Sequence, residues 1–250
     1  MESYVGFASL YDRLTFDVDY NEAAGRICEI FESEAKKPEL VLDLACGTGT
    51  LTKLLAERGY DMIGADCSEA MLNIAREKCP EALLLLQDMR EFELYGTVDA
   101  AVCMLDSINY LTEDGDLDKV FHLLNNYLIP DGILIFDINS EYKFKNVLKD
   151  ETFVFETDDI FYVWENDYSE EDGLCDFYLT FFEKGVDGRY ARVDEVHTER
   201  AYSQKEIEEA LSRNGFRIEK RCDGYTDDEA TGKSERICYV CRNVCPIQKG

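Results

Sequence analysis

Residues 40–55, LVLDLACGTGTLTKLL, constrain the fold more than any other part of the chain. An apolar run at 40–44 meets small residues at 45–50, and leucines then recur at helical spacing, which predicts a strand, a tight turn and a helix. Gly47 and Gly49 let the turn's backbone approach a ligand closely, and the turn directs a helix N-terminus at it. We therefore expect a polar, nucleotide-like ligand here.

The alternation of strand and helix continues along the chain. Further apolar strands are predicted from Asp61, Leu83, Asp99 and Ile133, with helices between them and one helix ahead of them, from Glu22 to about Ala35. Continuous apolar strands separated by helices are typical of a parallel sheet covered on both faces. With two strands near the end of the chain, this predicts an α/β fold with a doubly wound, mostly parallel, Rossmann-like sheet of seven strands.

The pattern changes after the fifth strand. A short helix is predicted over 142–148, and aromatic-rich runs split by acidic or glycine-containing turns then predict antiparallel strands up to about residue 200. The α/β pattern returns with a helix capped by Ser203. We interpret residues 1–140 and 201–250 as one ligand-binding domain, and residues 141–200 as an inserted antiparallel β subdomain that caps its cleft.

Charge and composition exclude some partners. The 53 acidic residues outnumber the 26 basic ones, and the resulting net charge of −27 repels phosphate backbones and anionic lipid headgroups. Nucleic acid and membranes are therefore not expected as partners. With no apparent signal peptide or membrane span, the sequence predicts a cytoplasmic protein, whose oligomeric state stays open.

The ten cysteines are interpreted as free, buried thiols of a reducing compartment. Cys238 and Cys241, with Cys222 upstream, raise the question of zinc. If residues 236–242 form a strand, Cys238 and Cys241 point to opposite faces, and no nearby histidine completes a ligand set. We predict no metal site.

Three aspartates sharpen the interpretation of the glycine turn. Asp43 lies just before it, whereas Asp66 and Asp88 end the second and third strands, so all three meet at the carboxyl edge of a parallel sheet. Asp66 follows the glycines by about twenty residues, a position from which a carboxylate reaches ribose hydroxyls. The third glycine of the dinucleotide fingerprint is absent, which disfavours NAD.

These residues resemble a known family. LDLACGTGTLTKLLAERG, GADCSEAML, LLQDMREF and the opening YDRLTFDVDY are similar to the class I S-adenosylmethionine-dependent methyltransferases, in particular small-molecule N-methyltransferases and uncharacterised bacterial members. The resemblance implies S-adenosyl-L-methionine as cofactor. In the family, Asp66 would bind the ribose, Met71, Asp88 and Met89 the adenine, and Ala45, Gly47 and Leu105 the methionine portion. The full implied set is Tyr11, Arg13, Asp43, Ala45, Gly47, Gly49, Asp66, Cys67, Met71, Asp88, Met89 and Leu105.

Three residues are candidates for catalysis. Asp106 and Tyr110 follow the fourth strand, where they would lie beside the transferring methyl group. Asp106 would orient or deprotonate the acceptor, or else cap the turn that follows it. His197 in the insertion has the chemistry of a base, although a histidine in a strand is also often structural. Nearby aromatic residues of the insertion could form a lid over the acceptor or simply the insertion's core.

The sequence thus predicts a methyltransferase that moves a methyl group by in-line displacement to a small molecule, in particular to an amine nitrogen. An amine must be unprotonated to react, and the protein's main contribution would be alignment and exclusion of water. Two alternatives remain open: a tRNA or protein methyltransferase, and a non-catalytic S-adenosylmethionine-binding module.

Overall fold

Eleven strands and five helices of two or more turns form within residues 8, 11–12 and 18–244, the part of the chain that the computed structural model describes. The strands are β1 (Leu40–Leu44), β2 (Asp61–Asp66), β3 (Leu83–Leu86), β4 (Val98–Cys103), β5 (Leu128–Asn139), β6 (Thr152–Glu156), β7 (Ile160–Ser169), β8 (Leu174–Lys184), β9 (Tyr190–Arg200), β10 (Phe216–Asp223) and β11 (Arg236–Asn243). The helices are α1 (Tyr20–Glu32), α2 (Thr50–Glu57), α3 (Glu69–Lys78), α4 (Asp116–Tyr127) and α5 (Gln204–Arg213). Short helical turns cover Ser107–Tyr110, Glu141–Lys143 and Phe144–Leu148.

The larger sheet has seven strands in the order β10-β11-β5-β4-β1-β2-β3. Strands β1 to β5 pair in parallel, and β11 runs antiparallel to both of its neighbours. The order in which successive strands are added to the sheet reverses between β1 and its neighbour β4, so the carboxyl ends of β1, β2 and β4 border a crevice of the kind that binds ligands in such sheets. The predicted fold class is confirmed.

Each face of this sheet packs against its own helices. Leu42 and Phe136 belong to a buried cluster with Phe121 of α4, whereas Val41 belongs to a second cluster with Phe31 of α1. Neighbouring residues of one strand therefore face different cores, as the period of two in a strand requires. Both layers are fully apolar at these positions, which explains the uninterrupted apolar runs in the sequence.

Two boundaries differ from the sequence prediction. Helix α1 begins at Tyr20, two residues before the predicted start, because Asp19 caps it by accepting a hydrogen bond from the Glu22 amide at 2.9 Å. Strand β5 begins at Leu128, five residues before the predicted start, and contains an irregularity at which Asp131 is left-handed, at φ 60°. Residues on both sides of this irregularity pair with β4.

The second sheet is antiparallel, with strands β6 to β9 in sequential order. One of its faces buries aromatic residues. Ile160, Tyr162 and Phe181 pack with Met71 of α3, so this sheet contacts the helix that follows the Asp66 strand. Farther along the same face, Phe177 packs on Phe144 of the helical turn that precedes β6. The second sheet is thus joined to the first at two places.

Cys238 and Cys241 lie on β11 and belong to different core clusters on its two faces, as their spacing predicts. The nine cysteines within the described ranges are free thiols, and no group of three or more potential metal ligands gathers there. No helix in the part of the chain described by the structure has the length and apolarity needed to span a membrane.

Candidate active site

The glycine turn between β1 and α2 holds three residues in the left-handed conformation, Ala45 at φ 62°, Gly47 at φ 54° and Gly49 at φ 75°. A Cβ atom on Gly49 would lie 2.8 Å from the Cβ of Ala75 in α3, so this glycine permits close packing of the turn on that helix. A Cβ atom on Gly47 would meet no protein atom within 4 Å. The backbone at Gly47 is therefore bordered by open space.

Asp66 fixes the turn from the neighbouring strand. Its carboxylate accepts hydrogen bonds from the amides of Gly47 and Ser68, each at 2.8 Å. Burial raises the pKa of this carboxyl group. Because a carboxylate oxygen has room for more than one hydrogen bond, Asp66 can still accept from hydroxyl groups of a ligand.

Asp43 has a different role. Only 2% of it is exposed, and it accepts a hydrogen bond from the Thr52 hydroxyl at 2.5 Å, which ties β1 to α2. Burial raises its pKa to about 7. The Asp43 side chain lies beneath the turn and braces it.

A cavity of about 350 Å³ opens beside the turn, and residues from both sheets line it. Of the cofactor residues predicted from the sequence, eight line it: Tyr11, Ala45, Gly47, Asp66, Cys67, Met71, Met89 and Leu105. Asp43 and Gly49 are not among the residues that line it. Arg13 lies outside the described residues.

The Asp88 carboxylate binds Arg90, two residues later in the chain. It accepts hydrogen bonds from the backbone amide and from Nε of Arg90, at 2.8 and 2.9 Å. The Arg90 guanidinium holds the pKa of Asp88 below its usual range. Met89, between these two residues, points its side chain to the cavity.

The three catalytic candidates line the same cavity. The Tyr110 hydroxyl lies 3.3 Å from His197 Nδ1, and the two rings meet edge to face with centroids 5.9 Å apart. Burial lowers the pKa of His197, which favours the neutral imidazole at neutral pH. The Tyr110–His197 contact thus links the turn that follows β4 to the second sheet. Its histidine can hold or release a proton.

Asp106 does not cap the turn that follows it. Its side chain forms an ion pair with Arg236, at 2.7 Å between Oδ1 and Nη2. Both Leu105 and Asp106 adopt left-handed backbone conformations, at φ 58° and 55°. Non-glycine residues pay a free-energy cost for this conformation and keep it only when their surroundings impose it.

A group of charged residues beside Asp106 was missed by the sequence analysis. Glu199, Lys143 and Arg236 line the cavity, and Asp137 pairs with Arg236 from below. Glu199 could have been found, because it follows His197 by two residues on the same face of β9. The other residues come from distant parts of the chain, and no local spacing indicates them.

The aromatic residues of the insertion divide between its two faces. Tyr162, Trp164, Phe177 and Phe181 line the cavity and also pack in the sheet's core. Tyr178 is 41% exposed on the other face, where Phe182 packs against Phe161. These four side chains therefore belong both to the wall of the cavity and to the core of the insertion, which the sequence alone left as alternatives.

Comparison with known proteins identifies the family. A family model described as a methyltransferase domain matches residues 41–132. A putative methyltransferase of Bacillus subtilis, YqeM, is 37% identical over 243 residues, which cover 94% of this chain and 95% of that protein. The chain belongs to the S-adenosylmethionine-dependent methyltransferases.

Two further similarities bear on this methyltransferase. The crystal structure of an S-adenosylmethionine-dependent methyltransferase from Clostridium acetobutylicum has 35% sequence identity and a TM-score of 0.88, and the match covers 96% of this chain and 98% of that one. A dTDP-3-amino-3,6-dideoxy-alpha-D-glucopyranose N,N-dimethyltransferase of Streptomyces fradiae is 33% identical over 117 residues, 47% of this chain and 46% of that protein. The fold, the enzyme class and the cofactor predicted from the sequence are confirmed.

The residues of this methyltransferase fit S-adenosylmethionine. The open space at Gly47 admits a ligand against the backbone, and Asp66 supplies a carboxylate suited to ribose hydroxyls. Met71 and Met89 supply polarisable apolar surface suited to a flat base. We propose that the other predicted residues lining the cavity border the remainder of the cofactor.

Proposed function

We propose that this methyltransferase acts on an amine nitrogen of a small molecule, which binds between the glycine turn and the aromatic face of the second sheet. The observation that supports this most strongly is the shared cavity. Eight of the predicted cofactor residues and the Tyr110–His197 pair line one space, so an acceptor bound there would meet both.

The size and walls of the cavity favour a small acceptor. Its volume of about 350 Å³ lies within the range typical of sites for small ligands. Strands β7 and β8 cover it with aromatic side chains, which suit an apolar or cationic group. In this proposal, residues 141–200 form the cap that selects the acceptor.

The chemistry assigns distinct tasks to the protein. S-adenosylmethionine supplies an electrophilic methyl group on a sulfonium. An acceptor amine must lose a proton before it can react. Burial lowers the pKa of His197 and so keeps its imidazole neutral, the form in which it can accept that proton. Tyr110 orients the imidazole through the hydroxyl contact at Nδ1, and the aromatic wall excludes water from the reacting groups.

The relative from Streptomyces fradiae supports nitrogen as the methylated atom, since its name describes N,N-dimethylation of an amino sugar nucleotide. That match spans about half of each chain. The acceptor of the present enzyme therefore has to be identified by experiment.

Cofactor binding is the first measurement. Calorimetry with S-adenosylmethionine should give saturable binding that Asp66→Ala weakens strongly. Asp61→Asn is the matched control, because Asp61 is exposed at the opposite end of the same strand and should bind like the wild type.

Methyl transfer is the second measurement. The protein is incubated with methyl-labelled cofactor and a fractionated cell extract, and we expect label in small amines. Label found only in tRNA or in protein would refute the small-molecule acceptor. Cofactor binding with no transfer to any fraction would favour the non-catalytic module.

A further inference from the structure

Asp106 and Glu199 bring two carboxyl groups together on the wall of the cavity. Asp106 lies three residues after the end of β4 and Glu199 lies near the end of β9, so the contact joins the two sheets. Their side chains are hydrogen bonded to each other, and Glu199 is only 2% exposed. Two ionised carboxylates offer no donor, and this contact therefore requires a proton on one of them.

The neighbours decide which carboxyl group holds the proton. Asp106 contacts the guanidinium of Arg236 at 2.7 Å, a partner that favours the ionised form. Glu199 is instead bound by a neutral group, since its Oε2 accepts a hydrogen bond from Asn139 Nδ2 at 3.0 Å. The proton consequently resides on Glu199.

The remaining charged groups around the pair agree with this assignment. Lys143 donates to Asn139 Oδ1 at 2.9 Å and lies near both carboxyl groups, while Arg236 is shared between Asp106 and Asp137. The other titratable groups that interact with the cluster or lie along the same strand face are Tyr11, Cys103, Cys175, Glu195, His197, Tyr225, Glu235 and Cys238. With Glu199 protonated, Asp106 and Asp137 balance Lys143 and Arg236, so the buried cluster is neutral.

The pKa directions follow the same causes. Burial, and next the charge of Asp106, raise the pKa of Glu199 well above its usual range. Burial alone would raise the pKa of Asp106 as well, but Arg236 and Lys143 lower it. The surroundings thus push the pKa values of the two carboxyl groups apart, as they do for paired carboxyl groups in enzyme sites.

We propose that Glu199 is a positioning residue that keeps its proton at neutral pH and donates it to Asp106, which fixes the Asp106 carboxylate in the cavity as a hydrogen-bond acceptor for the N–H of the acceptor amine. This role rests on the proposed function. An ionised Glu199 would repel Asp106 and leave it without this donor, so the proton makes the geometry possible.

The proton can be observed in the wild-type protein without cofactor or acceptor. With ¹³C label confined to glutamate carboxyl carbons, one resonance should keep the chemical shift of a protonated carboxyl group at about pH 7.5. Because only glutamate is labelled, Asp43 and Asp137 give no signal. The pKa of Glu195 is raised to about 6, so Glu195 is ionised at this pH. Glu199→Gln assigns the resonance by removing it. Glutamate carbons that are all ionised at this pH would overturn the proposal.

Stability provides a second test, because glutamine imitates a protonated glutamate. A carboxyl group that is protonated when folded and ionised when unfolded lowers stability as pH rises. The melting temperature of Glu199→Gln minus that of the wild type should therefore increase from about pH 5 to about pH 8. A Glu199 ionised in the fold would give a flat difference over this range, which would contradict the proposal.

Glu199→Ala is the matched variant, since it removes the same titration but also the donor to Asp106. We expect it to melt below Glu199→Gln at every pH. In the methyl-transfer assay, kcat should fall further in Glu199→Ala than in Glu199→Gln. A failure to find any methyl acceptor would refute the proposed function and leave the ¹³C and melting results to decide on the proton.

Discussion

The two glycines of the turn should fail in different ways when each is replaced by alanine. At Gly49, alanine adds the cost of a left-handed φ, about 1–2 kcal/mol, and its Cβ would lie 2.8 Å from the Cβ of Ala75. Such overpacking costs about 1–3 kcal/mol. Gly49→Ala should therefore lower the free energy of unfolding by about 2–5 kcal/mol.

At Gly47, alanine meets no protein atom within 4 Å, so only the conformational cost of about 1–2 kcal/mol applies to folding. The added methyl group would instead enter the space that we assign to the cofactor. A steric cost of about 1–3 kcal/mol on binding corresponds to an affinity roughly 5- to 150-fold weaker.

Urea denaturation measures the first quantity and calorimetry with S-adenosylmethionine the second, each in both variants. Gly25→Ala controls for the general effect of an added methyl group, because Gly25 lies in α1 and a Cβ there also meets open space. Equal losses of stability at Gly47 and Gly49, with cofactor affinity unchanged in Gly47→Ala, would refute the reasoning.

Three further predictions concern buried charges. The raised pKa of Asp43 makes the fold less stable as pH rises from about 4 to about 7, and Asp43→Asn should reduce this loss of stability by up to about 4 kcal/mol. Chemical denaturation at a series of pH values measures the effect, and a pH profile equal to that of the wild type would contradict the prediction. Arg236→Met should cost about 3–5 kcal/mol in the same assay because it leaves Asp137 buried and uncompensated, and a loss below about 1 kcal/mol would be inconsistent with that. His197→Ala should lower kcat by a factor of roughly 10²–10⁴ and leave cofactor affinity near the wild-type value. Tyr110→Phe should lower kcat by a smaller factor. Weaker cofactor binding in either variant would assign the pair to the cofactor instead.

The sequence predicted those features that depend on local spacing. Gly47 and Asp66 were placed correctly relative to each other because a strand end, a tight turn and the next strand end in a parallel sheet fix their separation. Asp88 shows the limit of this reasoning. Strand β3 ends at Leu86, two residues before Asp88, and Arg90 takes up the Asp88 carboxylate. An argument from strand ends alone does not reveal competition by a nearby cation.

The charged cluster could not be predicted for a related reason. Asp106 meets an arginine 130 positions away and Glu199 binds an amide 60 positions away, across a junction between two sheets. Pairings of this kind depend on how the second sheet is seated, and single-sequence periodicity contains no such information. Only Glu199 left a local signal, through its alternation with His197.

The contact of Met71 with Ile160, Tyr162 and Phe181 has a thermodynamic consequence. Met71 is at once part of the cavity wall beside Asp66 and part of the second sheet's packing. If a ligand displaced Met71 and with it the aromatic wall, two ligands bound on either side of this residue would alter each other's affinity by equal factors. The size of that coupling would depend on the packing of one methionine.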